Sequence, residues 1–145
     1  MSSVLIAQSV PEMRKLMAEL VRLSGNEPLP AGSIIEAMKI CKVEEPHVIV
    51  TDSELQDGNG NELLRDLREA GVSGLAIVVT DRWGVDPATY DWQELRILDV
   101  VAKPFTPRDF MAKIRTAVEL TSNSGRLVTF LDAIISRNTR ALAAV

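Results

Sequence analysis

The sequence lacks several features that mark particular classes of protein. It has a single cysteine, Cys41, so no disulfide can form within the chain. No apolar run reaches the roughly 18 residues that a membrane-spanning helix needs. No block of Lys and Arg indicates a nucleic-acid-binding surface, and the N-terminal residues do not read as a secretory signal. These absences predict a cytoplasmic protein that binds neither nucleic acid nor membrane directly.

The composition is that of an ordinary globular domain. The chain has 145 residues, of which 46% are hydrophobic and 25% are charged, and its net charge is −4. One domain of this size can bury a single core. Aromatic residues make up only 4% of the chain, so Trp83 and Trp92 stand out. We expect them to lie partly in the core, and a contact surface is the alternative.

Short apolar runs alternate with longer amphipathic segments along most of the chain. The runs cover residues 4–7, 29–31, 48–50, 75–79 and 98–102. The segments between and after them carry apolar residues at helical spacing. Five strands alternating with five helices predict an α/β fold, a doubly wound parallel sheet with helices on both faces.

Local signals place several helix ends and one sheet edge. Ser9 and Ser33 are predicted N-caps, each with a glutamate three residues later, and Thr106 opens the fifth helix. The fourth helix is expected to start at residues 86–87 and to carry Tyr90, Trp92 and Leu95. Two prolines around Leu29 predict that the second strand is an edge strand.

The last part of the chain reads as a separate extension. A polar stretch follows Leu120, and residues 126–145 have a helical apolar stripe interrupted by Asn138. We therefore divide the chain into a domain at residues 1–121 and a helical extension at residues 122–145. Docking of this extension on the domain and homodimerisation through it both stay open.

Four polar residues follow predicted strands or end them. They are Gln8, Asp52, Thr80 and Lys103. In doubly wound sheets, ligands bind at the carboxyl ends of the strands. The sequence therefore predicts one pocket that contains these side chains.

A set of short motifs in this order resembles the receiver domains of two-component response regulators, the CheY-like family. The motifs are Pro11-Glu12-Met13-Arg14, Val48-Ile49-Val50-Thr51-Asp52, Asp57-Gly58-Asn59-Gly60, Ile77-Val78-Val79-Thr80 and Lys103-Pro104-Phe105, and the similarity covers about residues 3–120. The resemblance implies a flavodoxin-like fold and a role in phosphorelay signal transduction. It implies signalling rather than enzymatic turnover, with self-phosphorylation and dephosphorylation at most.

The resemblance also implies roles for individual residues. Asp52 is the expected phosphoacceptor, Thr80 the hydroxyl that contacts the phosphoryl group, and Lys103 the lysine that pairs with it. Asp52 and the backbone carbonyl of Glu54 are the expected ligands of Mg²⁺. The implied partners are a histidine kinase or phosphotransfer protein and a downstream protein.

The sequence departs from the family at the acidic pair that normally follows the first strand. Gln8 and Ser9 occupy these positions. Because Mg²⁺ favours carboxylate ligands, we expect it to bind weakly. A second departure is the absence of an aromatic residue before Lys103, where residues 100–102 are Val-Val-Ala.

These departures keep other interpretations open. One alternative is a pseudo-receiver, which is an interaction module that does not use phosphate. In that case Asp52 is simply paired with Lys103 and hydrogen-bonded by Gln8. A remote alternative is a phosphatase of the haloacid-dehalogenase kind, built on Asp52, Thr80 and Lys103, but its acidic metal ligands are missing.

Overall fold

The computed structural model describes residues 1–81 and 90–121. The strands are β1 (Ser3–Ala7), β2 (Glu27–Ala31), β3 (Val48–Asp52), β4 (Glu54–Leu55), β5 (Gly58–Asn59), β6 (Leu75–Thr80) and β7 (Ile97–Ala102). The helices are α1 (Pro11–Leu23), α2 (Ile34–Cys41), α3 (Gly60–Glu69) and α4 (Pro107–Thr121).

Five of the strands form one parallel sheet in the order β2-β1-β3-β6-β7. This confirms the predicted doubly wound sheet and the edge position of β2. The order changes direction between β1 and β3, because the chain first adds β2 on one side and then adds the later strands on the other. A crevice opens at such a point, beyond the carboxyl ends of the strands.

The sheet is buried on both faces, which explains its nearly continuous apolar strands. Alternate residues of each strand enter two separate cores. One core contains Val4, Ile6, Val48 and Val50 and is covered by α1 and α4. The other contains Leu5 and Ile49 among its strand residues and is covered by α2 and α3.

The prediction of a fourth helix is wrong for those of its residues that the structure describes. Tyr90 lies in a bend and residues 92–96 form turns, with a single helical hydrogen bond from Leu95 N to Asp91 O. Arg96 then takes a positive φ of 53° immediately before β7, a conformation that no helix continues. Trp92 lies in the core as expected. The proposed helix start and Trp83 lie outside the described residues, as does the extension at residues 122–145.

The predicted cap at Ser33 and the predicted helix start at Thr106 are confirmed. Ser33 Oγ accepts from Glu36 N at 3.1 Å, and Thr106 Oγ1 accepts from Asp109 N at 3.0 Å. The cap at Ser9 is wrong, because α1 begins at Pro11 with Val10 as its N-cap. No helix among residues 1–81 and 90–121 is long and apolar enough to cross a membrane.

Candidate functional site

The four polar residues lie close together at the carboxyl ends of neighbouring parallel strands. Asp52 is the last residue of β3, which lies between β1 and β6. Gln8 follows β1, Thr80 ends β6, and Lys103 follows β7. Gln8, Asp52 and Thr80 are all buried. Parallel pairing thus brings together residues far apart in sequence, as predicted.

Asp52 forms an ion pair with Lys103. The Lys103 ammonium donates to Asp52 Oδ2 at 2.7 Å, and the two side chains are 20% and 6% exposed. The other carboxylate oxygen, Oδ1, accepts from the backbone N–H of Glu54 at 3.2 Å. Burial of a carboxylate is costly unless its charge is balanced and its oxygens are hydrogen-bonded, and both conditions are met here.

Gln8 adds a third donor to the same carboxylate. Its Nε2 donates to Asp52 Oδ2 at 2.7 Å, and its Oε1 accepts from the backbone N–H of Val10 at 3.0 Å. The second contact fixes the amide orientation, because reversing the amide would oppose two donors at Val10 and two acceptors at Asp52. The expected hydrogen bond between Gln8 and Asp52 is confirmed.

Ser9 connects three loops instead of capping α1. Its hydroxyl donates to Gly32 O at 3.1 Å and accepts from Gln56 N at 2.8 Å. The loops after β1 and β2 and the turn between β4 and β5 are therefore tied to each other beside the pocket. Pro11 leaves the start of α1 with one fewer N–H to satisfy, which helps to explain why Ser9 is available for these contacts.

Thr80 is linked to Asp52 through its neighbours. Ser53 Oγ donates to Thr80 Oγ1 at 3.0 Å, and Lys103 N donates to Thr80 O at 2.7 Å. Thr80 is thus bonded to the residue after Asp52 and to the residue that pairs with Asp52. Its expected contact with a phosphoryl group stays a prediction.

Gly60 is a site residue that sequence reasoning missed. A Cβ at this position would lie 2.6 Å from the backbone oxygen of Asp52, closer than such atoms approach. Gly60 N also donates to Ser53 O at 3.0 Å. In the sequence, Gly60 appears only as part of the receiver-like motif Asp57-Gly58-Asn59-Gly60, whereas in the structure it lets α3 start directly against the end of β3.

The two acidic residues nearest to Asp52 in sequence do not supply the missing carboxylates. Glu54 is exposed. Asp57 accepts from Ile34 N at 2.8 Å and from Ile35 N at 3.1 Å, so it binds the N-terminus of α2. The pKa of Asp57 is lowered, chiefly by the hydrogen bond from Ile34 and further by that from Ile35, against the opposing effect of desolvation.

The residues present do not fit the Mg²⁺ site that the family implies. Mg²⁺ prefers about six oxygen ligands in octahedral geometry. In this pocket both oxygens of Asp52 accept from protein donors, and Gln8 presents an N–H rather than an oxygen. Within the described parts of the chain, no group of three or more His, Cys, Asp or Glu residues could hold a metal ion.

Solved structures of receiver domains have the same fold. A CheY-like receiver domain protein from Methanospirillum hungatei matches with a TM-score of 0.77 and 20% identity, covering 86% of this chain and 99% of the other. A receiver domain protein from Clostridium thermocellum matches with a TM-score of 0.72 and 22% identity, covering 82% and 95%.

Curated relatives are transcriptional regulators. The ycf27 probable regulator of Cyanophora paradoxa is 26% identical over 83% of this chain and 49% of its own length. The phosphate regulon regulator PhoB of Pseudomonas aeruginosa is 24% identical over 82% and 52%, and KdpE of Escherichia coli is 23% identical over 98% and 64%. The chain thus spans about half to two thirds of their length.

Family membership follows from a match over most of the chain. The sequence model of the response regulator receiver domain matches residues 4–115. This agrees with the sheet order and with the polar residues at the strand ends. The chain belongs to the response regulator receiver domain family, the signalling modules of two-component systems, and is not a classical enzyme.

Proposed function

We propose that this receiver passes a signal on by binding another protein, and that the signal enters at Asp52. The observation that carries the proposal is the 2.7 Å contact between Lys103 and Asp52. It joins the end of the central strand β3 to the edge strand β7. Any change in the charge or occupancy of Asp52 therefore acts directly on Lys103.

Lys103 links the pocket to the β7–α4 region. Its backbone is held to Thr80 O, and the residues after it lead to Phe105, whose ring stacks on Phe110 of α4 with 5.1 Å between centroids. A groove of about 810 Å³ lies between β7 and α4. We propose that release of Lys103 changes the shape of this groove, and with it the affinity for a protein partner.

Phosphorylation is one form of input at Asp52. A carboxylate oxygen of Asp52 would form a bond to phosphorus as the P–N bond of a phosphohistidine in a kinase or phosphotransfer protein breaks. The leaving imidazole keeps the electron pair of the broken bond. The pairing of Asp52 with Lys103, and the position of Thr80 one strand away, favour this input. We also propose that the protein meets such a kinase in the cytoplasm.

Phosphate-independent signalling is the second candidate, and a specific observation favours it. Gln8 and Lys103 both donate to Oδ2 of Asp52, so the carboxylate is satisfied before any phosphoryl group arrives. In this form a protein partner, rather than a phosphate, would shift the population of receiver conformations. This argument from Gln8 and Lys103 is independent of the second departure from the family, the missing aromatic residue before Lys103.

Labelling with acetyl phosphate separates the two inputs. The native protein, Asp52→Asn and the double variant Gln8→Asp/Ser9→Asp are incubated with acetyl phosphate and Mg²⁺, and intact mass is measured. A phosphate adduct on the native protein that disappears in Asp52→Asn supports phosphorylation. An adduct only on the double variant supports the phosphate-independent form. Equal labelling of Asp52→Asn would contradict Asp52 as the acceptor.

A further inference from the structure

We infer that the Asp52 pocket works without a divalent cation, because protein donors occupy the carboxylate from both sides. This inference rests on the proposed function only in treating Asp52 as the residue where the signal enters. Three donors surround the carboxylate: Gln8 Nε2 and Lys103 Nζ on Oδ2, and Glu54 N on Oδ1. A cation would require these oxygens as ligands.

The Gln8 side chain cannot be turned into a ligand by a simple rotation of its amide. Its Oε1 is held by the backbone N–H of Val10 at 3.0 Å, at the start of α1. Turning this oxygen toward a cation would break that bond and the bond to Oδ2, and would leave the amide donors facing the N–H of Val10. Gln8 itself is 1% exposed, so its amide has little access to solvent.

The Ser9 hydroxyl also has two protein partners. It donates to Gly32 O and accepts from Gln56 N, so it holds the loop after β2 and the turn between β4 and β5 to the loop after β1. Coordination of a cation by this oxygen would compete with the contact to Gln56. The two residues at the acidic-pair positions thus both have structural partners in the closed pocket.

The charge of the pocket gives a second reason. The single negative charge of Asp52 is balanced by Lys103. The two nearest acidic residues in sequence are Glu54, which is exposed, and Asp57, which binds the N-terminus of α2. A divalent cation at Asp52 would therefore meet a carboxylate that is already paired, beside an ammonium group that repels it.

The test uses Mn²⁺ as a paramagnetic substitute for Mg²⁺ with the full-length, ¹⁵N-labelled protein. Two-dimensional amide spectra are recorded during a titration into the millimolar range. The native protein should show no saturable, selective broadening at Asp52, Ser53 and Glu54. The variant Gln8→Asp/Ser9→Asp should show it, because two carboxylates then face the ion.

Three further variants keep the test decisive. Gln8→Ala/Ser9→Ala removes the same side chains without adding charge and should behave like the native protein. The same spectra report folding, and Gln8→Asp alone replaces the double variant if the latter unfolds. Saturable, selective broadening at Asp52, Ser53 and Glu54 in the native protein would overturn the inference. The exposed Glu12→Gln change is a control for nonspecific surface binding.

The inference and the proposed function can fail separately. Labelling of native Asp52 in the presence of EDTA would support both. Labelling that requires Mg²⁺ would keep Asp52 as the input residue and overturn the cation-free pocket. A native protein with neither labelling nor Mn²⁺ binding would remove phosphorylation as the input and support the inference.

Discussion

The side-chain amide of Gln8 and the ammonium of Lys103 donate to the same oxygen of Asp52, each at 2.7 Å. Gln8 follows β1 and Lys103 follows β7, and these strands lie on opposite sides of β3 within the sheet. The carboxylate at the end of β3 therefore connects both of them. Where the family has acidic residues, this pocket presents an amide N–H group that hydrogen-bonds the carboxylate.

Gln8→Leu should destabilise the protein by about 1–3 kcal/mol. The change removes the acceptor of the Val10 N–H and one donor from the buried Asp52 carboxylate, and loss of a hydrogen bond to a buried charged group costs that much. Urea unfolding followed by circular dichroism measures the loss. Gln56→Leu is the matched control, because Gln56 is exposed and its pocket contact is made by the backbone. Equal stability of the two variants would contradict the structural role of Gln8.

Lys103→Met should cost about 3 kcal/mol, because it leaves the buried Asp52 carboxylate without its counter-charge. This value is at the lower end for buried pairs, since Lys103 is 20% exposed. Adding Asp52→Asn to the Lys103→Met variant should recover part of the lost stability, because the unpaired charge is then removed. A double-mutant cycle from urea unfolding should therefore give a favourable coupling of roughly 1 kcal/mol or more. Additive effects of the two changes would show that the pair contributes nothing to stability.

Asp57→Asn should remove the stabilisation of the folded protein that comes from the ionised Asp57 carboxylate. The lowered pKa of Asp57, caused chiefly by the Ile34 N–H, means that the ionised carboxylate stabilises the folded protein. This contribution is complete above the ordinary aspartate pKa of about 4 and is lost as the pH falls through the lower folded-state pKa. The difference between native protein and Asp57→Asn should thus shrink on acidification. Unfolding midpoints at neutral and acidic pH measure it, with exposed Asp66→Asn as the control.

Gly60→Ala should destabilise the protein although alanine favours helices over glycine by about 0.5–1 kcal/mol. The added methyl group would lie 2.6 Å from the backbone oxygen of Asp52, so α3 or the end of β3 must move. Thermal unfolding and the amide shift of Asp52 report both effects. In the control Gly32→Ala, the atoms nearest to the added methyl group belong to the side chains of Arg14 and Glu36, not to the backbone. A gain in stability for Gly60→Ala would contradict the close approach.

The sequence predicted the layers of the fold better than its connections. The apolar runs predicted every strand of the main sheet, because burial on both faces leaves a continuous apolar signal. Pro28 and Pro30 predicted the edge position of β2. The prediction failed at Trp92 and Leu95, whose helix-like spacing belongs to turns packed in the core. A short apolar spacing shows that residues are buried, but it does not fix the backbone that buries them.

The sequence by itself determined which residues meet at the sheet edge, because parallel strands bring their carboxyl ends together wherever the apolar runs place them. Asp52, Thr80 and Lys103 were identified in this way. Only the tertiary structure decided how their neighbours are used: Gln8 turns its amide to Asp52, Ser9 ties loops rather than capping α1, and Asp57 binds α2. The reason is that a polar side chain has several partners within reach, and only the three-dimensional packing selects among them.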